Sequence, residues 1–542
     1  MKGGRIMRQI KLLDCTLRDG GFVNNWNFGY GNIVSIFERL VKSGVDIIEI
    51  GWLDSREPFS MERTIAPSTK HLGEMFGKLD SKESTIVAMI DYGACPIENI
   101  EPCGSNGIDG IRVIFKKHMR IDALAFCKQL QVLGYKVFVQ AVSITSYSSD
   151  ELMDLVKLIN ELTPYAVSIV DTYGLLHKDN LLHYFRMLEA HLNKEIKIGF
   201  HSHNNFQLAY ANSMELLNEN TERDLMLDGS LYGMGKSAGN TPLELLAMHL
   251  NENYEKRYDL NPILEAIDGN IMKFYRENPW GYNLFYFIAS SNRCHPSYVQ
   301  YLLDKHTLSI QSVNDILQNI KEEQKLSYKE EVIEQLYYAH KSIAYDDVIA
   351  KDTLKTALNS KEILVMGPGK TIRTQETLIK SYIEKNRPIT IAINYVPENI
   401  AVDYIFLSNP RRHIRVETAL RESKNRHSKI IATSNVVSPI QSFEYVINSM
   451  KIREYDKESF DNSFIMLMKL LQEIEIDNVV CAGIDGYSAN GENYFDKEFE
   501  HWFSTPKTEK WNTYVKEKMM LFRKKMKIKF LTKTYYEEKQ DE

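Results

Sequence analysis

His201 and His203 are separated by one residue, and in an extended segment side chains two apart leave the same face. Two imidazoles so placed can take neighbouring positions on one ion, although such pairs also arise by chance. Asp19 adds a hard oxygen donor. A mixed nitrogen and oxygen set suits a divalent cation, manganese or magnesium first and zinc, cobalt or iron(II) after them. Making or breaking a C–C bond beside a 2-oxo acid passes through an enolate, whose charge a divalent Lewis acid stabilises. Arg18 stands next to Asp19, where a guanidinium can aim donors at the developing oxyanion; a salt bridge is its plainer use. Asn240 closes the run LYGMGKSAGN, whose glycines let the backbone approach a ligand closely. Alternatively this run is a turn before a helix, with Thr241 as its cap and Pro242 at its first position.

These residues need a scaffold that brings distant stretches together. From residue 10 to about 250, β-rich runs at 11–13, 47–50, 85–90, 110–114, 136–140, 166–170, 196–200 and 225–227 alternate with helical patterns. Eight strand–helix repeats predict an α/β fold, a closed (β/α)8 TIM barrel over residues 8–255, with an open doubly wound sheet as runner-up. Asp19 follows the first run, Asp171 the sixth and the histidine pair the seventh, all at the end where such barrels carry their active face. Asp91, Arg112 and Asp171 near strand ends are candidates to shape a substrate pocket, or to brace the mouth by ion pairs and hydrogen bonds.

Residues 256–355 read as a helical annex, in which Val313, Ile316, Leu317 and Ile320 make the clearest apolar stripe. A second alternating pattern over 356–542 predicts a Rossmann-like α/β domain. Its first strand runs into Gly367-Pro368-Gly369, and N–H groups exposed in that turn would meet a phosphate or carboxylate. The loop is neither a Walker A sequence nor a dinucleotide fingerprint. Asn409 and Asp485 also follow strands and are candidate ligand contacts; turn residues bonding their own backbone are the plain alternative.

The 542-residue chain, 44% hydrophobic and 25% charged, has a formal charge of -6, which favours neither nucleic acid nor an anionic membrane as partner. Six cysteines without a CxxC pair predict reduced thiols and a cytoplasmic protein. The first residues lack the apolar run of a signal peptide, and no stretch is long enough to span a bilayer. A homo-oligomer is expected.

The pieces Thr16-Leu17-Arg18-Asp19-Gly20, Asp171-Thr172-Tyr173-Gly174, His201-Ser202-His203-Asn204 and Gly239-Asn240 together resemble the metallolyase superfamily of 4-hydroxy-2-oxovalerate aldolase, 3-hydroxy-3-methylglutaryl-CoA lyase and isopropylmalate synthase, over residues 10–250. The resemblance implies Asp19, His201 and His203 as metal ligands, Asn240 as a fourth, and Arg18 as oxyanion stabiliser. It implies an aldolase or lyase joining or cleaving pyruvate, or another 2-oxo acid, and an aldehyde. An acyl-CoA-dependent condensing enzyme or lyase is the alternative, and a non-catalytic sugar-acid-binding module the non-enzymatic one. The resembled aldolases carry a histidine base three residues after the aspartate ligand; that position here is Phe22. The annex resembles the one that covers the mouth in the aldolase branch. It would bring Tyr275, Trp280, Tyr282 or His295 over the site, with His295 and Tyr282 as candidate proton-transfer groups and His295 preferred for titrating near neutral pH. Gly367-Pro368-Gly369, Asp403-Tyr404-Ile405-Phe406 and Gly483-Ile484-Asp485-Gly486 resemble Rossmann-like domains of surface-glycan modification and of pterin pyrophosphokinase-like proteins. That resemblance implies a nucleotide, phosphosugar or sugar-acid ligand and a sugar aldehyde as acceptor, with a purely structural or oligomer-forming domain as the alternative.

Overall fold

The computed structural model describes residues 8–141, 144–304, 308, 310–341, 346–359, 361–436, 443–453, 462–488, 493–496 and 505–537. The chain forms two compact units, Met1–Pro296 and Ser297–Glu542, so the boundary falls inside the helical stretch 256–355.

In the first unit the strands are β1 (Ile10–Asp14), β2 (Ile47–Leu53), β3 (Ile65–Ala66), β4 (Thr85–Asp91), β5 (Gly110–Phe115), β6 (Lys136–Ala141), β7 (Ala166–Asp171), β8 (Lys197–Ser202) and β9 (Leu225–Gly229). All eight runs foreseen in the sequence are strands. Their order is β1-β9-β8-β7-β6-β5-β4-β2, and parallel pairing of β1 with β2 closes the ring. The short β3 is an addition, paired with the end of β2.

Side chains alternate along each strand, and the two sets go to different places. Ile48, Ile50, Ile111, Val113, Val137, Val139, Ile198, Phe200, Leu225 and Leu227 enter the large core between the strands and the surrounding helices. Leu13, Ile47, Val87, Phe138, Ala166 and Met226 form a separate apolar plug inside the barrel. Two positions further along their strands, Glu49, Gln140, Ser168 and Asp228 are buried polar residues, joined by Arg112 from β5 and His201 from β8. The interior is therefore packed throughout, apolar below and charged above, and the charged layer lies at the C-terminal ends of the strands.

The helix Tyr30–Ser43 turns its Ile33, Ile36, Phe37 and Leu40 face to the core and ends at Gly44, whose φ of +79° reverses the chain. The helix Leu243–Asn253 starts one residue later than the sequence predicts. Pro242 takes the cap position, and the Thr241 hydroxyl is hydrogen-bonded to that of Ser202 at 2.9 Å instead of capping. Leu260–Ala266 packs on Tyr30–Ser43 and continues through a π-turn, Ile267–Ile271, where Asn270 bonds Asn32 and Ser35.

The second unit holds a seven-stranded, all-parallel sheet: β10 (Ile363–Met366), β11 (Ile389–Ile393), β12 (Tyr404–Leu407), β13 (Lys429–Thr433), β14 (Tyr445–Ile447), β15 (Asn478–Ala482) and β16 (Lys527–Phe530). Its order, β14-β13-β12-β11-β10-β15-β16, reverses between β10 and β15. Ile363, Val365, Ile391, Phe406 and Val479 face one core with the helices Val348–Leu358 and Ser463–Glu473, while Leu364, Met366, Ala392, Ile405 and Val480 face another. This is an open sheet covered on both faces. Three-residue β14 gave no sequence signal. Among the described residues no helix is long and apolar enough to cross a membrane.

Candidate metal centre

After β1 the chain turns at once into the short helix Thr16–Asp19, which sets the Asp19 carboxylate over the barrel interior. His201 ends β8 facing inward, and His203 follows it with its backbone bridged to Asn240. Asp19, His201 and His203 each offer a ligand atom, all within 4.8 Å of one another, and all three are buried. The imidazole Nε2 of His201 stands 3.5 Å from Asp19 Oδ2, and the two rings lie 5.2 Å apart at 89°.

The other ring nitrogens are already committed. His201 Nδ1 lies 3.0 Å from Asp228 Oδ2, and His203 Nδ1 lies 3.0 Å from the Lys236 carbonyl. Two acceptors fix the protons on Nδ1 and leave both Nε2 lone pairs for an ion. Asn240 donates through Nδ2 to Asp19 Oδ1 and the Met234 carbonyl, while its Oδ1 is buried without a hydrogen-bond partner among the described residues. An orphaned amide oxygen beside a carboxylate and two imidazoles is the donor set of a divalent cation, so the residues fit one. Gly235 is needed for this approach, because a Cβ there would lie 2.1 Å from Asn240 Nδ2 and 2.7 Å from Asp19 Oδ1.

Beneath the centre runs a buried chain of charges. Arg18 donates to Asp19 and, through Nε at 2.7 Å, to Glu49; Arg112 pairs with Glu49 at 3.0 Å and with Asp228. Burial opposes the charge on Asp19, but Arg18 and then the histidines outweigh it and hold its carboxyl well below the usual range. Burial likewise opposes the His201 cation, which Asp19 and Asp228 nonetheless favour; at His203 burial wins and pushes the pKa down to about 4. The Nη2 of Arg18 is buried with no partner among the described residues and is available to a substrate oxygen. Arg112, with 0% exposure and paired with Glu49 and Asp228, has the surroundings of a brace, the second of the two readings its sequence position left open.

Around the mouth, Phe22 is 41% exposed and packs against Trp26 and Trp52 at 4.9 and 6.1 Å. His295 lies 5.6 Å, ring to ring, from Tyr173, in the loop after β7. Its expected titration near neutrality is corrected: burial, then the charge of Lys236, pushes it down to about 4, so the ring is neutral at pH 7. Tyr282 is exposed and packs by Phe287, not against Asp19, Arg18 or the histidines. Tyr275 and Trp280 pack edge-on with each other and with Tyr232. Asp171 accepts the N–H groups of Leu175 and Leu176 at 2.7 and 3.0 Å, a turn-forming role, with burial raising its pKa to about 6. Asp91, half-buried at the end of β4, is raised by burial and feels the charge of Lys236.

Four residues of the site had no motif to mark them: Glu49, Asp228, Asn205 and Lys236. Asn205 donates to the Tyr173 carbonyl and Ser290 and accepts from Ala238, tying three loops together. The legible signal for Glu49 and Asp228 is a lone carboxylate inside an apolar strand.

In the second unit the glycine turn is not a phosphate cradle. Gly367 N–H donates to the Ala482 carbonyl and Gly369 N–H to that of Gly483, both at 2.8 Å. Asp485 accepts the Thr371 N–H at 2.8 Å and the Thr371 hydroxyl, so the chain's own carboxylate fills the place foreseen for a ligand anion. Asn409 caps the turn Pro410–Arg412 by accepting from Arg411 N–H, as a turn residue does.

Compared with known proteins, residues 9–268 match the HMGL-like family model. A 4-hydroxy-2-oxovalerate aldolase of Pseudoalteromonas translucida is 24% identical over 276 residues, covering 49% of this chain and 76% of its own. An oxaloacetate decarboxylase of Mycobacterium tuberculosis is 25% identical over 280 residues, covering 50% and 81%. Among solved structures, the HMG-CoA lyase of Brucella melitensis is 15% identical with a TM-score of 0.40, covering 50% of this chain and 100% of that one.

Proposed function

We propose, from the premise that residues 9–268 form an HMGL-like domain, that the chain is a divalent-metal-dependent carbon–carbon lyase, an aldolase that joins or separates a 2-oxo acid such as pyruvate and an aldehyde. One observation carries the reading: Asp19, His201 and His203 offer buried ligand atoms within 4.8 Å of one another with both Nδ1 atoms taken, and Asn240, bonded to Asp19 through Nδ2, has a buried unpartnered oxygen. Asp19, His201, His203 and Asn240 hold the ion, and manganese or magnesium suits their donors first. Bound there, it would supply Lewis-acid stabilisation of negative charge on the 2-oxo acid.

Arg18 is fixed by Glu49 and Asp19, so its free Nη2 is aimed before the reaction begins and can donate to the enolate oxygen without reorganising. Neutral His295 is the acceptor for the hydroxyl proton in cleavage. The names of the two relatives support the substrate class, since 4-hydroxy-2-oxovalerate and oxaloacetate are both 2-oxo acids. A sugar aldehyde as acceptor rests only on the sequence resemblance of the second unit.

The test is to incubate metal-loaded protein with pyruvate in deuterated water and follow the methyl protons by NMR. Exchange that needs the metal and falls about 100-fold or more in Arg18→Lys is expected. A protein that carries metal and exchanges nothing refutes the reading.

A further inference from the structure

Lys236 lies in the glycine loop between β9 and the helix Leu243–Asn253, and its backbone is fully engaged at the centre. Its N–H donates to Asp19 Oδ1 at 2.8 Å, and its carbonyl accepts from His203. Its side chain reaches the mouth, where Nζ sits 5.2 Å from the ring centre of Phe22 and 5.9 Å from that of Tyr173. His295 also packs on Tyr173, ring centre to ring centre 5.6 Å, and feels the charge of Lys236. The ammonium is thus held against the ring of Phe22, the residue three positions after Asp19.

Nothing among the described residues consumes this cation. Among the described residues no side chain forms a hydrogen bond or an ion pair with Nζ. Aromatic faces attract an ammonium but accept none of its protons in a directed bond, so three donors are left over on a half-buried side chain. Arg18, by contrast, is clamped deep in the barrel between Asp19 and Glu49. The two cations therefore serve different parts of a substrate, Arg18 the part beside the metal ligands and Lys236 the part toward the mouth.

We propose that Lys236 binds the acceptor's reacting oxygen, which is the carbonyl oxygen of the aldehyde in synthesis and the hydroxyl oxygen in cleavage. This rests on the aldolase reading above. In cleavage the hydroxyl proton passes to the neutral imidazole of His295. The oxygen's electron pair closes the new carbonyl, the C–C bond breaks, and its pair stays on the carbon of the 2-oxo acid as enolate. Lys236 holds the oxygen throughout with its N–H donors and keeps its own protons. Synthesis is the reverse, with the alkoxide forming on those donors. Phe22 then has a positive role, as the wall that points the ammonium.

The experiment uses full-length, metal-loaded wild type, Lys236→Met and Lys236→Arg, all checked for equal metal content and melting temperature. Two reactions are followed: methyl-proton exchange of pyruvate in deuterated water, which needs no acceptor, and the C–C step. The C–C step is read as cleavage of 4-hydroxy-2-oxovalerate and as product formation from pyruvate with acetaldehyde, propanal or glyceraldehyde. Lys236→Met is expected to keep exchange within about threefold while kcat of the C–C step falls about 100-fold with little change in KM for pyruvate. Lys236→Arg recovers part of the loss. Equal C–C rates in wild type and Lys236→Met overturn the proposal, and so does a parallel loss of exchange and C–C step, which would put Lys236 on the 2-oxo acid. Wild-type exchange with no product and no cleavage overturns the acceptor assignment alone. Absence of exchange in metal-loaded wild type overturns the aldolase reading and this proposal with it.

Discussion

Asp228 stands 3.0 Å from Nδ1 of His201, and the same carboxylate is also the partner of Arg112, so one buried acid orients a candidate ligand and neutralises the cation beneath it. An imidazole held in this way presents Nε2 in a fixed direction and with raised basicity.

Replacing His201 or His203 by alanine is therefore expected to abolish stoichiometric metal after controlled reconstitution, and Asp228→Asn to weaken binding by about 10- to 100-fold. Metal analysis of purified protein and a competition titration read both. Full retention of metal by the two alanine variants removes the ligand assignment.

Gly235→Ala is expected to lose the metal although it changes no donor. Its Cβ must push on Asn240 Nδ2 and Asp19 Oδ1, which are buried and hydrogen-bonded to each other. Gly31→Ala, in the helix Tyr30–Ser43 with nothing within 4 Å of the added carbon, is the control and stabilises by roughly 0.5–1 kcal/mol. Equal metal binding by both variants would show that the loop yields.

Asp14 gives the first unit a pH dependence opposite in sign to that of a paired carboxylate. Burial raises its pKa from 3.8 to about 7, against hydrogen bonds from Thr16, so the folded state holds its proton more tightly than the unfolded one. That contribution is present at acid pH and is lost as pH rises through about 7. Relative to Asp14→Asn, the wild type should lose about 2 to 3 kcal/mol between pH 5 and pH 8. Urea titrations of both proteins at the two pH values measure it, and parallel profiles contradict it.

In the second unit, Asp485→Ala uncovers the N–H of Thr371 and should cost about 1 to 2 kcal/mol, seen as a lower melting temperature. Inorganic phosphate in excess should then raise the melting temperature of the variant and leave that of the wild type unchanged. Equal stabilisation of both would mean that the turn takes an anion with Asp485 in place.

The barrel was legible because each strand is a short β-rich run and each polar loop follows one. Asp19 and the histidine pair were legible from donor type and two-residue spacing. Arg112 was found with two readings open, pocket or brace, since a sequence does not say whether an arginine inside Gly110-Ile111-Arg112-Val113 points across the barrel or into its mouth. The Gly367 turn misled for a related reason: the carboxylate beside it arrives from Asp485, far along the chain in the loop after β15. Lys236 escaped notice because its side chain matters through two rings, Phe22 and Tyr173, that lie in other loops.

The pairing of β1 with β2 is carried by only two residue pairs, Leu13 with Ile47 and Asp14 with Ile48, while β1 is matched to β9 over its whole length. Asp19 therefore reaches His201, His203 and Asn240 through a strand made more than two hundred residues later. During synthesis on the ribosome the nascent chain has no metal centre until β9 and the glycine loop have emerged, and contacts so distant in sequence form slowly. Metal uptake would thus report completed closure of the ring, and a chain truncated before Leu225 would carry the aspartate and both histidines yet lack the strand that brings them together.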